Sequence, residues 1–238
     1  MTRVAYCVGE YPEVERQRRI DVALSYASEE VGIGIIPIGA SPYHGLDPAS
    51  IQGVHPIVHK AYVQAEKEGY DAVVPLGMLD LGVDGGRSLV DIPVIGPAQA
   101  CLHVAALLGE RFGLICYQPE MIPRHRAQIA GFGMNDWLAG FRSVSMPIRE
   151  MTDNRDKLTE TFVAKARELI EEEGADLIIP HGISQCPIHI KPDWLSKELG
   201  VPVVEGIGAP IRVAAMMASL GLLQSRVRWP KTSLPEGA

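Results

Sequence analysis

Short apolar segments alternate with longer amphipathic segments along the whole chain. The short segments are rich in Val, Ile and Leu, a pattern typical of strands that are buried on both faces of a parallel sheet. The long segments predict helices, since apolar residues recur there at three- or four-residue steps. Strands are predicted at Val4–Val8, Gly32–Pro37, Ala72–Leu76, Val94–Ile95, Gly113–Cys116, Leu177–Pro180 and Val201–Val204, and helices at Val14–Glu30, Ile57–Glu68, Ala98–Leu108, Arg155–Glu173 and Ile211–Leu220.

An internal repeat organises these elements. The segment Gly69–Gly77 (GYDAVVPLG) matches Gly174–Gly182 (GADLIIPHG) without a gap. At nearly the same spacing, Ile92–Gly96 (IPVIG) matches Val201–Glu205 (VPVVE), and an Ala-rich helix is predicted after each. We therefore expect an α/β fold of two pseudo-symmetric parallel-sheet lobes with the active site in the cleft between them. Lobe one is predicted at 1–98, completed by the C-terminal helix 211–238, and lobe two at 99–210.

Composition narrows the class of protein. The chain has 238 residues, is 47% hydrophobic and carries a formal charge of −7, so it can form a core. Lys and Arg do not cluster, which argues against nucleic-acid binding. No apolar run reaches the eighteen or so residues that a membrane span needs. The four cysteines show no CxxC pairing. Reduced thiols and a cytoplasmic location are therefore expected.

Ligands of parallel α/β sheets bind where the strands end. In the repeat these ends are the loops Gly77–Asp80 and Gly182–Gln185. Glycine at the start of each loop lets the backbone approach a ligand, and the following N–H groups can bind a carboxylate or an oxyanion. A sharp turn after each strand is the purely structural alternative. Because the position is duplicated, a role in binding and a plain turn are equally supported.

The same segments resemble the Asp/Glu/hydantoin racemase superfamily, and its hydantoin racemase branch in particular. The superfamily includes aspartate, glutamate and hydantoin racemases, maleate isomerase and arylmalonate decarboxylase. The resemblance covers about residues 69–221 and implies two α/β lobes, no cofactor and a small-molecule substrate. It rests on Gly69–Val74, Gly82–Asp84, Asp91–Ala98, His103, Arg111–Gly113, Gly174–Ile179 and Leu199–Gly206.

The chain departs from that family at its catalytic cysteines. Racemases of the family place one cysteine at the end of each repeated strand, and the pair moves a proton across the substrate's α-carbon. Aligned without gaps, those positions are Gly77 and Gly182 here. Decarboxylases of the family keep one cysteine and have glycine at the other position. The resemblance therefore implies the fold, while the usual two-thiol chemistry needs other groups.

Other side chains near the strand ends are candidates for that chemistry. His181 suits general acid/base work because imidazole titrates near neutral pH, although a packed core histidine is the alternative. Asp80 can act as a base or cap a turn, and Arg124 can hold a carboxylate or lie on the surface. The predicted catalytic residues are His181, Asp80, Glu10 and Cys116; the predicted substrate-binding residues are Gly77, Met78, Tyr117, Gly182, Ile183, Ser184, Gln185 and Arg124.

Metal binding has little support in the sequence. His181, Cys186 and His189 lie close together, which is a weak zinc pattern, and Cys186 is more simply a packed thiol. His55 and His59 are four residues apart, but Pro56 is expected to start the helix and leave His55 outside it. No metal and no cofactor are expected. A turn at Tyr43–Gly45 is expected to form part of a lid.

Three hypotheses of function follow. The first is a racemase or isomerase that acts without a cofactor on a small carboxylate or a hydantoin-like cyclic ureide. The second keeps the fold but performs a cofactor-free lyase (decarboxylase) or hydrolase reaction, with backbone N–H groups that stabilise an enolate. The third is a binding protein without catalysis. A homodimer or a higher homo-oligomer is expected, and Arg226–Ala238 is predicted to be a loosely packed tail.

Overall fold

The computed structural model describes residues 1–40 and 47–235. The chain divides into two compact units, one formed by residues 1–97 and 210–238 and the other by residues 98–209. The expected lid turn Tyr43–Gly45 lies outside the described residues. Each unit holds one three-stranded parallel sheet and its helices.

The first unit is built on strands β1 (Thr2–Val8), β2 (Val31–Pro37) and β3 (Ala72–Val74) in the order β2-β1-β3. All pairings are parallel, and Val94 adds a parallel bridge to Val73 at the outer side of β3. Apolar side chains from this sheet pack with buried residues of the neighbouring helices into one core. The helices of this unit are α1 (Glu13–Leu24), α2 (Pro48–Lys67), α3 (Val83–Leu89) and α9 (Gly208–Ser219), which begins at the unit's boundary.

The second unit repeats this arrangement. Strands β4 (Phe112–Cys116), β5 (Leu138–Ser143) and β6 (Leu177–Pro180) form a parallel sheet in the order β5-β4-β6, and Val203 bridges to Ile178 as Val94 does to Val73. The prediction of two similar parallel-sheet α/β lobes is confirmed. The helices are α4 (Pro97–Ala105), α5 (Ile122–Gly131), α6 (Ile148–Met151), α7 (Arg155–Glu173) and α8 (Pro192–Leu199), with a short 3₁₀ turn at Pro119–Met121, another at Asn135–Trp137, and a π turn at Ser184–His189.

The predicted start of α2 is wrong. The helix begins at Pro48, because the Asp47 carboxylate accepts hydrogen bonds from the N–H groups of Ala49 and Ser50. Pro56 lies inside the helix, and His55 therefore belongs to it.

The predicted end of α1 is also wrong. The helix ends at Leu24 instead of Glu30, since residues 25–30 must turn the chain into β2. That turn is closed by a reciprocal pair of backbone hydrogen bonds between Ser28 and Val31.

The sequence pattern did not predict β5, α3, α5, α6 or α8. β5 reads LAGFRS and has no apolar run, because it lies at the edge of its sheet and only Phe141 is fully buried. α5 gives an equally weak signal because Ile122 and Ile129 are its only large apolar residues.

The C-terminal segment is anchored, so the prediction of a loosely packed tail is wrong for its described part. Arg226 donates hydrogen bonds to the carbonyl oxygens of Arg87 (2.8 Å) and Val90 (2.6 Å). The Arg87 guanidinium lies over the Trp229 ring, 4.9 Å from its centroid. Leu234 packs against the core of the first unit. The guanidinium of Arg226 therefore holds this segment through hydrogen bonds to backbone carbonyl oxygens, without a helix or a strand.

Candidate functional site

The first unit presents a glycine and an aspartate after β3. Gly77 has a φ of +78°, and no atom of the described residues lies within 4 Å of the position that a Cβ would take there. Asp80 also has a positive φ of 50°, and Met78 between them is buried. Two residues of this loop therefore lie in the left-handed region, which glycine adopts at no steric cost and aspartate adopts more readily than most other residues.

Asp80 lies against the backbone of Gly96. A Cβ at Gly96 would lie 2.5 Å from Oδ2 of Asp80, so glycine is required for this approach. Helix α2 also contacts this region: His59 Nε2 donates a hydrogen bond to the carbonyl oxygen of Gly82 (2.9 Å). The structure thus positions the Asp80 carboxylate at the carboxyl end of the first sheet.

Glu10 follows β1 at the same end of the sheet and is exposed. It lines a cavity of about 210 Å³ together with Arg16 and apolar residues of β2 and α1. Arg16 is engaged by an ion pair with Glu13 (2.8 Å). This environment leaves the carboxylate of Glu10 in contact with solvent.

In the second unit, Tyr117 fills the space beside Gly182. A Cβ at Gly182 would lie 2.4 Å from Cε1 of the Tyr117 ring. The hydroxyl of Tyr117 accepts a hydrogen bond from the backbone N–H of Ser184 (3.0 Å). Ile183, Ser184 and Gln185 are all buried. The loop after β6 is therefore fixed by an aromatic side chain that occupies the position of a residue-182 side chain.

His181 is buried at the end of β6 in contact with a second histidine. The rings of His181 and His125 pack edge to face, with centroids 4.2 Å apart and planes inclined by 79°. Nε2 of His181 lies 3.4 Å from Oε1 of Gln128. Both imidazoles have an exposed fraction of 1% or less. His125 and Gln128 belong to α5, so this helix supplies the surroundings of His181.

Burial keeps both imidazoles uncharged. Loss of solvation, followed by the charge that His125 would carry, lowers the pKa of His181 well below 6.5. Burial lowers the pKa of His125 to about 4; nearby Gln128 acts in the opposite direction, and Arg124 lowers it further. Arg124 is the third residue of α5 and is partly exposed.

Several polar atoms of this region have no hydrogen bond of regular geometry to any described residue. They are Nδ1 of His181, both ring nitrogens of His125 and both amide atoms of Gln185, all fully buried. An unpaired buried polar group costs about 1–3 kcal/mol. Such a concentration within one compact unit is typical of a site that receives a polar ligand or water.

All four cysteines are buried and lie outside any disulfide. Burial raises the pKa of Cys116 to about 11, and its thiol donates a weak hydrogen bond to the carbonyl oxygen of Gln118 (3.2 Å). Burial raises the pKa of Cys186 well above its ordinary value of 9.0, with Glu205 contributing in the same direction. Both groups are thiols at neutral pH, and the proposed catalytic role of Cys116 stays a prediction.

Within the described ranges, no three His, Cys, Asp or Glu side chains are arranged to hold a metal ion. The rings of His55 and His59 lie 6.4 Å apart on α2. In the part of the chain that the structure describes, no helix has both the length and the apolar character that crossing a membrane requires.

Sequence reasoning missed His125 and Gln128. A signal was present, because Met121, His125 and Ile129 recur at four-residue steps and all three are buried. A histidine inside an otherwise apolar stripe marks a polar group on a core face. Its pairing with His181 depends on packing between α5 and the end of β6, which no local pattern predicts. The expectation that the two glycine loops share one cleft stays a prediction.

Comparison with known proteins identifies the class. The Asp/Glu/Hydantoin racemase family model matches residues 40–214. The hydantoin racemase of Pseudomonas sp. (strain NS671) is 26% identical over 197 residues, which are 80% of this chain and 77% of that protein. The allantoin racemase structure from Klebsiella pneumoniae superposes with a TM-score of 0.88 at 20% identity, over 100% of this chain and 97% of that chain.

A structure of arylmalonate decarboxylase also shares the fold, with a TM-score of 0.64 at 18% identity over 92% of this chain and 93% of that chain. The fold and the family match together define an enzyme of the racemase class, an isomerase, as the sequence predicted. The chain belongs to the Asp/Glu/hydantoin racemase family.

Proposed function

We propose that this enzyme transfers a proton at the α-carbon of a small carboxylate or a hydantoin-like substrate, and that His181 takes part in place of the thiols. The supporting observation is the position of His181: it directly precedes Gly182, lies fully buried at the end of β6, and its Nδ1 has no hydrogen bond to any residue that the structure describes. An uncharged imidazole can accept a proton from carbon or donate one to an oxyanion.

The relatives favour the hydantoin-like half of this proposal. One curated relative is named a hydantoin racemase and one structural neighbour an allantoin racemase, and both names denote cyclic ureides. The buried groups around His181 agree with such a substrate, since two uncharged imidazoles and an unpaired amide suit an uncharged ring with N–H and C=O groups.

A decarboxylase is the second candidate, and a specific observation favours it. Tyr117 excludes a side chain at residue 182, so the second unit offers His181 without a neighbouring thiol. One proton donor suffices for a decarboxylase, which protonates its carbanion from one face only. Asp80 and Glu10 are the candidate second acids if the reaction is a racemisation. A cytoplasmic location and a homodimer stay predictions.

Proton exchange in D₂O tests the proposal. We expect the α-proton NMR signal of a 5-substituted hydantoin or of allantoin to disappear with enzyme, and optical rotation to decay in parallel. The His181→Asn variant should lose about 10²-fold or more of this rate. His103→Asn, which alters an exposed histidine on α4, is the matched control and should behave as wild type.

The outcomes separate the candidates. Exchange without net conversion supports the racemase, whereas release of carbon dioxide from an arylmalonate supports the decarboxylase. Thermal stabilisation by these compounds without any turnover would support a binding protein. Full activity of His181→Asn would contradict the role given to His181.

A further inference from the structure

We propose that His125 and Gln128, two residues of α5, are positioning residues for His181: they keep its imidazole uncharged with Nε2–H directed to Gln128, so that Nδ1 is the atom that meets the substrate. This inference rests on the proposed function of His181. Neither residue belongs to the short segments on which the resemblance to the family rests, and the inference concerns how His181 is prepared for its role.

The first step of the argument is the contact with Gln128. Oε1 of Gln128 lies 3.4 Å from Nε2 of His181. A carbonyl oxygen only accepts hydrogen bonds, so this contact favours the tautomer with a proton on Nε2. The same tautomer leaves a lone pair on Nδ1, which has no hydrogen bond to any described residue. Gln128 thereby selects which nitrogen of His181 is the acceptor.

The second step is the contact with His125. The edge-to-face packing at 4.2 Å brings two imidazoles so close that two positive charges there would repel strongly. Both rings are also removed from water, with exposed fractions of 0% and 1%. His125 therefore does more than pack against His181, because its presence opposes protonation of His181 in the protein without substrate.

The third step is the rigidity of the frame. His125 and Gln128 are three residues apart on α5, so one turn of helix presents both side chains to the same neighbour. On the other side, the neighbouring strand β4 fixes His181, whose backbone N–H donates a hydrogen bond to the carbonyl oxygen of Ile115 (2.8 Å). Held between a helix and a strand, the imidazole keeps a defined orientation.

The nitrogen chemical shifts of His181 in ¹⁵N-labelled protein test this assignment. At pH 7.5 we expect one protonated and one bare ring nitrogen, with the proton on Nε2. Gln128→Leu, which keeps the volume but removes the acceptor, should mix the two tautomers. His125→Phe, which keeps a ring but removes its nitrogens, should change the shifts of His181. Both variants should lower the exchange rate about tenfold or more.

His103→Phe is the matched control, since it makes the same replacement on the exposed surface of α4. It should leave the His181 shifts unchanged and the rate within about twofold. Circular dichroism and the melting temperature establish that each variant is folded. If His125→Phe does not fold, His125→Gln replaces it in the comparison.

Two results would overturn the inference. One is a set of wild-type nitrogen shifts that shows a charged His181 or a proton on Nδ1. This result is obtained without any variant. The other is a set of folded variants whose His181 shifts and exchange rates equal those of the wild type. If the wild-type protein exchanged no proton of any compound, the proposed function would fail, and the nitrogen shifts would still decide this inference.

Discussion

The ring of Tyr117 occupies the space that a side chain at Gly182 would need, with Cε1 2.4 Å from the Cβ position. The glycine at residue 182 is thus matched by an aromatic ring from the end of β4. Because the Tyr117 hydroxyl also accepts a hydrogen bond from the Ser184 N–H, the ring shapes the loop that follows His181.

The first prediction concerns this contact. Gly182→Ala should destabilise the protein by about 1–3 kcal/mol, because the added methyl group overlaps with the Tyr117 ring. Equilibrium unfolding in urea measures the change. Gly131→Ala is the matched control, since Gly131 ends α5 with no described atom within 4 Å of its Cβ position. A Gly182→Ala protein as stable as the control variant would show that Tyr117 moves aside freely.

The second prediction concerns Gly77, where space is open but the backbone is left-handed. Gly77→Ala should cost about 1–2 kcal/mol through its positive φ alone. Gly77→Asn should cost less, because asparagine adopts this conformation more readily. The two variants are compared by urea unfolding. Equal stability of both with the wild type would contradict the strain assigned to this turn.

The third prediction concerns pH. The pKa of His125 is about 4 in the folded protein and near 6.5 when unfolded, so between these values the unfolded chain binds more protons. Stability should therefore be full above about pH 6.5 and fall as the pH drops toward 4, by about 3 kcal/mol for one such group. Unfolding in urea at pH 7.5, 5.5 and 4.5 measures the fall.

His125→Phe supplies the comparison for this pH dependence. Without the imidazole at residue 125, stability should fall less between pH 6.5 and 4, while the exposed replacement His103→Phe should leave the fall unchanged. The same steep fall in wild type and His125→Phe would mean that other groups account for it.

The fourth prediction concerns the C-terminal anchor. Arg226→Ala removes the hydrogen bonds to the carbonyl oxygens of Arg87 and Val90, together with an ion pair to Asp91. Since this guanidinium is partly exposed, we expect a loss of about 1–2 kcal/mol. Amide hydrogen exchange should accelerate in α3 and in residues 222–235. Lys60→Ala, at an exposed position of α2, is the control and should change neither.

The local pattern was sufficient for elements with one clear periodicity. α7 and β6 lie within the predicted bounds Arg155–Glu173 and Leu177–Pro180, because one has a regular apolar stripe and the other is apolar throughout. The repeat located both glycine loops, since a duplicated strand end keeps its sequence. The local pattern did not predict the edge strand β5 or the helix α5, because the position in the sheet and tertiary packing decide such elements.

The sequence by itself determined the fold class, the duplication and the glycines at residues 77 and 182 where the repeated strands end, since each is written in the order of residues. Only the tertiary structure decided what surrounds the remaining chemistry. It brought His125 and Gln128 of α5 to His181, and Tyr117 to Gly182. These contacts join residues that are distant in the chain, and the pKa of a histidine depends on such neighbours and on burial rather than on adjacent residues.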